Sequence, residues 1–263
     1  MNDILKVNHV SKVYIKKEQR VNALSGIDLE IQKGDYISLQ GPSGSGKTTL
    51  LNILGCLDKP TSGEVIIDGK DVSRMKEKEL FKIRSGKIGF IFQTFNLFPI
   101  LNAEENVLLP MELTKIPMKE RRLKAQKLLE LVGLKERLQH RPSELSAGEK
   151  QRVAIARAMA NDPSIILADE PTGNLDSKTG KRIMDLLREL NEKTGTTIVV
   201  VTHDDKMAKL TKKILNLIDG KIAKVEDLDK DTEKKQEYVC GSCGDRLQAS
   251  WKVCPHCETK VRS

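Results

Sequence analysis

The chain opens with runs in which apolar and polar positions alternate, as in Val21 to Ile31 and Tyr36 to Gln40, and this period of two predicts short strands. Val65-Ile66-Ile67 then runs into Asp68-Gly69, and Leu215-Asn216-Leu217-Ile218 runs into Asp219-Gly220 before Lys221-Ile222. Asp-Gly between apolar runs favours a tight two-residue turn, so both stretches predict β-hairpins. From Ile88 to about Leu138 the sequence becomes helix-rich. Between Lys115 and Arg141, Ala125, Leu128, Leu129 and Val132 follow i, i+3, i+4, i+7 spacing and predict a helix with a basic outer face. A long helix from Ala147 to Ala160 follows, then a buried strand Ile165 to Ala168, a helix with Ile183, Leu186, Leu187 and Leu190 on one face, and a strand Ile198 to Val201. Strands alternating with helices predict an α/β domain built on a mostly parallel, helix-covered sheet. Charge dominates from Val225 to Glu237, which reads as a linker. No internal repeat is evident, so the chain carries the machinery for one site.

Against this pattern one segment carries strong chemistry. Gly41-Pro42-Ser43-Gly44-Ser45-Gly46-Lys47-Thr48 fits G-x-x-x-x-G-K-[ST], follows the strand ending at Gln40 and opens a helix from Thr49 to Leu57. Its glycines let backbone N–H groups close around phosphate oxygens, and the helix start favours their charge. Lys47 reaches the β- and γ-phosphates, and Thr48 offers a hydroxyl to Mg²⁺. The strand Ile165 to Ala168 ends in Asp169-Glu170, which places two carboxylates at the C-terminal end of a buried strand. Asp169 suits the Mg²⁺ shell, and Glu170 is placed to polarise the attacking water. His203 and Gln93 also follow strands, but strand-end histidines and amides are often structural.

Composition narrows the setting. The 263 residues suffice for one sizeable α/β domain with something small attached. No run of about eighteen apolar residues occurs, so any membrane role is expected to pass through a partner. Met1 to Lys6 lacks the features of a secretory signal, and a cytoplasmic location is expected. The net charge of +8 is dispersed over many lysines, which reads as a solvated surface, and no nucleic acid is expected. Cys56 stands in Ile53-Leu54-Gly55-Cys56-Leu57 and reads as a buried structural thiol.

Leu145-Ser146-Ala147-Gly148-Glu149-Lys150-Gln151-Arg152, ahead of Asp169-Glu170-Pro171-Thr172-Gly173-Asn174-Leu175-Asp176 and Val201-Thr202-His203-Asp204, resembles the signature arrangement of ABC ATPases. The resemblance runs from about Ile4 to Val225. Leu50 to Asp58 and Phe92 to Leu97 are most similar to the macrolide-export and lipoprotein-release branch. It implies a P-loop ABC ATPase domain over residues 1–225, with N-terminal antiparallel strands and a helical subdomain, that binds ATP and Mg²⁺ and works as a homodimer on a separate membrane permease. The ATP-binding set would comprise Gly41, Pro42, Ser43, Gly44, Ser45, Gly46, Lys47, Thr48 and Thr49 of the loop, with Tyr14 stacked on adenine. His203 would hold the γ-phosphate, and Gln93 would contact Mg²⁺ or the water and respond to the permease. Ser146 and Gly148 would cap the ATP bound by the other protomer, and Asp176 would sit at the dimer seam. Two positions depart from the family pattern: Ala147 stands for the usual glycine and Glu149 for the usual glutamine, and weaker affinity or slower turnover is expected.

After the linker at 226–237, residues 238–263 hold Cys240-Gly241-Ser242-Cys243 and Cys254-Pro255-His256-Cys257. Two C-x-x-C knuckles ten residues apart predict a zinc ribbon on Cys240, Cys243, Cys254 and Cys257. A redox dithiol pair or a rubredoxin-type iron site would use the same spacing. His256 reads as a bystander, and Trp251 and Lys252 suggest a docking turn, with a passive cap as the alternative. For the whole chain the leading function is a transporter ATPase. A force-transmitting ATPase without transport and a soluble ABC ATPase acting on nucleic acid are the competing classes.

Overall fold

The structure is a computed structural model that describes residues 3–16, 19–228, 238–240, 242–243, 246–247, 253–257 and 259–260. The chain divides into two compact units, Met1–Glu226 and Asp227–Ser263. In chain order the first contains β1 (Asp3–Lys16), β2 (Gln19–Gln32), β3 (Tyr36–Gln40), α1 (Lys47–Leu54), β4 (Ser62–Ile67), β5 (Lys70–Asp71), α2 (Glu77–Lys87), β6 (Ile88–Phe92), α3 (Ala103–Leu108) and α4 (Met118–Leu131). It continues through α5 (Ala147–Ala158), β7 (Ile165–Asp169), α6 (Ser177–Thr194), β8 (Thr197–Val201), α7 (Asp205–Ala208), β9 (Lys213–Ile218) and β10 (Lys221–Asp227). Two sheets result: an antiparallel one in the order β2-β1-β4-β5, and a larger one in the order β10-β9-β3-β8-β7-β6 with parallel pairing from β9 to β6.

Alternation along the central strands sorts side chains between two cores. Ile165 and Leu167 of β7 and Val199 and Val201 of β8 join α1 and the antiparallel sheet in one core. Ile166, Ala168, Ile198 and Val200 join α3 to α6 in the other. All five residues of β8 are buried, as expected for a strand covered on both faces. Both hairpin turns form with left-handed residues at both positions, Asp68 (φ 51°) with Gly69 (74°) and Asp219 (47°) with Gly220 (71°).

Several boundaries differ from the sequence reading, each for a local reason. The N-terminal strands are not short: β1 and β2 run 14 residues each, and register shifts between Val7 and Val10 and between Val10 and Lys12 break their alternation into short pieces. Helix α1 begins at Lys47, two residues before the expected Thr49. The basic segment is α-helical only over Met118–Leu131, because Gly133 takes a left-handed φ of 73° just beyond, and a short 3₁₀ turn at Lys135–Arg137 follows. Helix α5 stops at Ala158 rather than Ala160, ahead of left-handed Asp162 and then Pro163. Residues 225–227 belong to β10 instead of a linker, since ladder bonds to β9 make this mostly exposed edge strand, not apolar content. Beyond Leu228 that expected linker lies outside the described residues, as do Trp251 and Lys252. Cys56 is buried, and burial pushes its thiol up to about 11, as suits a structural thiol.

In the second unit, β11 (Tyr238–Val239) pairs antiparallel with β12 (Arg246–Leu247), and Val253 bridges Lys260.

Candidate functional site

Parallel register sets out the site. Leu39 of β3 lies opposite Val201 of β8, Val201 opposite Asp169 of β7, and Asp169 opposite Phe92 of β6. Gln40, the last residue of β3, and Thr202, Glu170 and Gln93, the first residues beyond β8, β7 and β6, therefore line up along one edge of the sheet, where open α/β sheets bind ligands. β8 separates the loop-bearing β3 from β7, so the carboxylates reach the loop across one intervening strand.

The turn after β3 is shaped by backbone contact. A Cβ on Gly41 would lie 2.1 Å from the Leu217 carbonyl oxygen, and one on Gly46 would lie 2.4 Å from that of Ala23. Gly46 also takes φ 101° as the residue preceding α1. The loop ends in Lys47, whose Nζ donates to the Gly41 and Pro42 carbonyls at 2.8 Å each. Beside it opens a cavity of about 480 Å³ lined by Tyr14, Ser43, Gly44, Gly46, Lys47, Thr48, Thr49, Asp169, Glu170 and His203, together with residues 21–23 and Val201. Burial, followed by the Glu170 carboxylate, pushes the Asp169 carboxyl above its ordinary range, while Lys47 works the other way. Glu170 has a left-handed φ of 47°, fixed by its N–H bonding the Val201 carbonyl at 3.0 Å. Its Oε1 lies 2.8 Å from His203 Nδ1, and its Oε2 is buried without a partner. Ser45 Oγ is likewise buried and unpartnered. A cavity that sets Lys47 and a glycine-rich turn on one side against two carboxylates, one with an unsatisfied oxygen, on the other fits a polyanionic ligand accompanied by a cation.

Tyr14 is held from its far end. Its hydroxyl donates to Asp58 Oδ2 at 2.7 Å, and Lys12 Nζ stands 4.9 Å from the ring centroid while donating to Asp58 Oδ1 at 2.6 Å. The sequence reading gave no role to Lys12 or Asp58. The signal was present, since Lys12 and Tyr14 are two apart on one strand and so share a face. Burial works to raise the Asp58 carboxyl, but the bonds from Lys12, Tyr14 and the Lys59 N–H together hold it below its ordinary 3.8.

Other expected residues lie outside this cavity. Gly41, Pro42 and Ser45 shape the loop behind it. The Gln93 side chain packs on Gly173, where a Cβ would lie 2.7 Å from its Nε2. After it, Phe95 and Asn96 take left-handed conformations, and Arg157 donates to both their carbonyls. Ser146 precedes α5 as its cap, and the start of α5 meets α6 closely enough that a Gly148 Cβ would lie 2.7 Å from Thr179 Cγ2. Asp176 caps α6 by accepting from the Lys178 and Thr179 N–H groups at 3.1 and 3.0 Å. Ser146 and Ala147 are exposed and Gly148 is buried.

In the second unit the ligand atoms of Cys240, Cys243, Cys254 and Cys257 all lie within 4.8 Å of one another. Cys240 and Cys257 approach to 3.4 Å and Cys243 and Cys254 to 3.6 Å, so each contact joins one knuckle to the other. The Thr259 hydroxyl and N–H, with the Cys240 and Cys243 sulfurs, hold the Cys257 thiol down at about 6. Four convergent sulfurs, one of them readily ionised, fit a tetrahedral metal such as zinc.

Comparison with known proteins agrees with this geometry. The "ABC transporter" family matches residues 24–173. An uncharacterised ABC transporter ATP-binding protein of Thermotoga maritima is 54% identical over 226 residues, covering 86% of this chain and 96% of that one. The lipoprotein-releasing system ATP-binding protein LolD of Bacteroides fragilis is 50% identical over 202 residues, covering 77% and 94%. Among solved structures, a dimeric post-hydrolysis state of the cassette MJ0796 bound to ADP and Pi superposes with TM-score 0.78 at 50% identity, covering 85% of this chain and 98% of that one. CbiO1 of Clostridium perfringens, part of the ABC transporter complex CbiONQ, superposes with TM-score 0.79 at 28% identity, covering 89% and 92%. The chain belongs to the ABC transporter family as an ATP-binding subunit. It is an ATPase with the P-loop ABC fold, on the branch that includes LolD and MJ0796.

The Asp58 cluster generates a pH-dependent expectation. A carboxylate whose folded value is depressed stabilises the fold above its unfolded value and loses that contribution as pH falls through the folded one. Asp58→Asn is therefore expected to cost about 1–2 kcal/mol at pH 7 in urea unfolding, with the gap from wild type narrowing as pH falls below the ordinary 3.8. A gap that is constant with pH would contradict the charge's role.

Proposed function

We propose that two copies of this chain close head-to-tail around ATP and that hydrolysis reopens them, driving a separate integral-membrane permease from the cytoplasmic face. The observation that carries the chemistry is Glu170, with one carboxylate oxygen on His203 and the other buried, unpartnered, at the wall of the Lys47 cavity. Tyr14 stacks on adenine while the loop 41–49 holds the phosphates through its N–H groups and Lys47. Thr48 and Asp169, with Gln93, would hold Mg²⁺, which neutralises charge on the phosphate oxygens when bound. Glu170 orients a water and accepts its proton as the water oxygen bonds to the γ-phosphorus and the bridging P–O bond to ADP breaks. His203 steadies both the carboxylate and the γ-phosphate.

The shared site is supported by exposure of Ser146 at the start of a 12-residue helix, whose positive end suits the γ-phosphate of a partner's ATP, and by relatives solved as dimers. Asp176 lies at the seam of such a dimer. For the permease, a second cavity of about 420 Å³ is lined by Phe90, Phe92, Phe98, Pro110 and Leu113 with Arg84, and Phe98, Leu113 and nearby Ile100 and Phe81 are exposed. Gln93 lies between Phe92 and Asn96, which both line that cavity, so a partner seated there would act on the backbone that carries Gln93.

Glu170→Gln keeps the shape but not the base. It is expected to lower turnover on the order of a hundredfold or more and to trap an ATP-bound dimer seen by sizing chromatography in Mg-ATP. A variant that stays monomeric and hydrolyses normally would contradict the assignment.

For the second unit the reading is one zinc on the four cysteines, in a ribbon that folds as its own module. Full-length protein prepared under reducing conditions is expected to carry one zinc per chain by elemental analysis. Cys254→Ser is expected to lose that metal while basal ATPase activity stays within about twofold. Metal-free full-length protein, or iron in place of zinc, would contradict it.

A further inference from the structure

The cap of α5 contains a conflict with the role just proposed for Ser146, and the inference drawn from it rests on that shared-site reading. Ser146 Oγ accepts the Glu149 N–H at 3.3 Å and sits 2.8 Å from Glu149 Oε2, which also accepts the Ser146 N–H at 2.9 Å. An ionised carboxylate can only accept, so the single hydroxyl proton of Ser146 is given to Glu149. The remaining carboxylate oxygen takes Arg137 Nε at 3.3 Å, and that guanidinium lies 3.0 Å from His140 Nε2. The Ser146 N–H and hydroxyl, then Arg137, hold the Glu149 carboxyl below its ordinary range, so it is charged at neutral pH.

A serine that caps a γ-phosphate must donate to it, because phosphate oxygens only accept. In this chain the donor is already engaged, and the engaging group is an anion in the first turn of the helix whose positive end would meet the phosphate. A glutamine here would keep the cap, its amide oxygen accepting the Ser146 N–H in place of Oε2. A neutral amide oxygen holds the hydroxyl proton less strongly than a carboxylate does and brings no negative charge to the helix start, so the proton is released to a phosphate more readily. We propose that Glu149 is a positioning residue that holds Ser146 turned away from the phosphate, so that closing the dimer requires breaking the Ser146–Glu149 bond and raises the ATP concentration needed. Arg137 limits this cost by drawing the carboxylate's charge toward the helix flank.

The test uses the full-length chain carrying Glu170→Gln, in which ATP-bound dimers accumulate, and measures by light scattering the ATP concentration giving half-maximal dimer. Adding Glu149→Gln is expected to lower that concentration about tenfold, with ADP affinity and thermal midpoint unchanged, because Glu149 does not line the nucleotide cavity and glutamine preserves the cap. An unchanged or higher concentration overturns the proposal. So does a shift matched by a fall in thermal midpoint, which marks a cap-stability role only. Ser146→Arg in the same background separates the two layers. If it blocks dimerisation while Glu149→Gln changes nothing, the shared site stands and the latch fails. If Ser146→Arg dimerises normally, the shared site fails and the latch with it.

Discussion

The parallel register of four buried strands is the constraint on which the rest of the molecule depends. Because Leu39, Val201, Asp169 and Phe92 lie in one row, the chain leaves β3, β8, β7 and β6 at the same level. The phosphate loop, His203, the Asp169-Glu170 pair and Gln93 are thereby delivered to one edge. A one-residue slip in β7 would exchange the residues feeding the two cores and turn Asp169 away from Lys47. The burial of β7 and β8 on both faces resists that slip, so the packing that holds the fold also sets the geometry of this edge.

Around that row, polar groups are held by local bonds that leave particular atoms open. Glu170 is bent into left-handed backbone by its N–H bond to Val201, which leaves Oε2 in the cavity wall with no partner. Tyr14 is tethered through Asp58 to Lys12, which sets its ring at the cavity wall. Such preorganisation reduces the ordering cost of binding. Ser146 shows the opposite arrangement, because its open atom is engaged by its own helix.

Much of this was legible in the sequence where one local signal decides the structure. The glycine-lysine loop, the apolar run ending in two acids and the two Asp-Gly turns each carry their own geometry, and the parallel sheet follows from strand-helix alternation. Signals that depend on distant partners were not legible. β1 and β2 look like fragments because bulges interrupt a continuous 14-residue pairing, and β10 is a strand only through its neighbour. Asp58 lies 44 residues from Tyr14, and Gln93 turns to Gly173 through a loop that Arg157 holds. The competition between Glu149 and a phosphate for one proton is visible only once the cap's donor and acceptor atoms have positions.

On the proposed reading, one chain holds only part of a working site, and the start of α5 in a second copy supplies the rest. The most direct test is the specific ATPase activity of the wild-type protein at saturating Mg-ATP over a wide range of protein concentration. Specific activity is expected to fall in proportion to concentration on dilution below the dimer's dissociation constant, and to level off above it. Specific activity that stays constant down to concentrations where light scattering shows only monomer, in the presence of Mg-ATP, would contradict it.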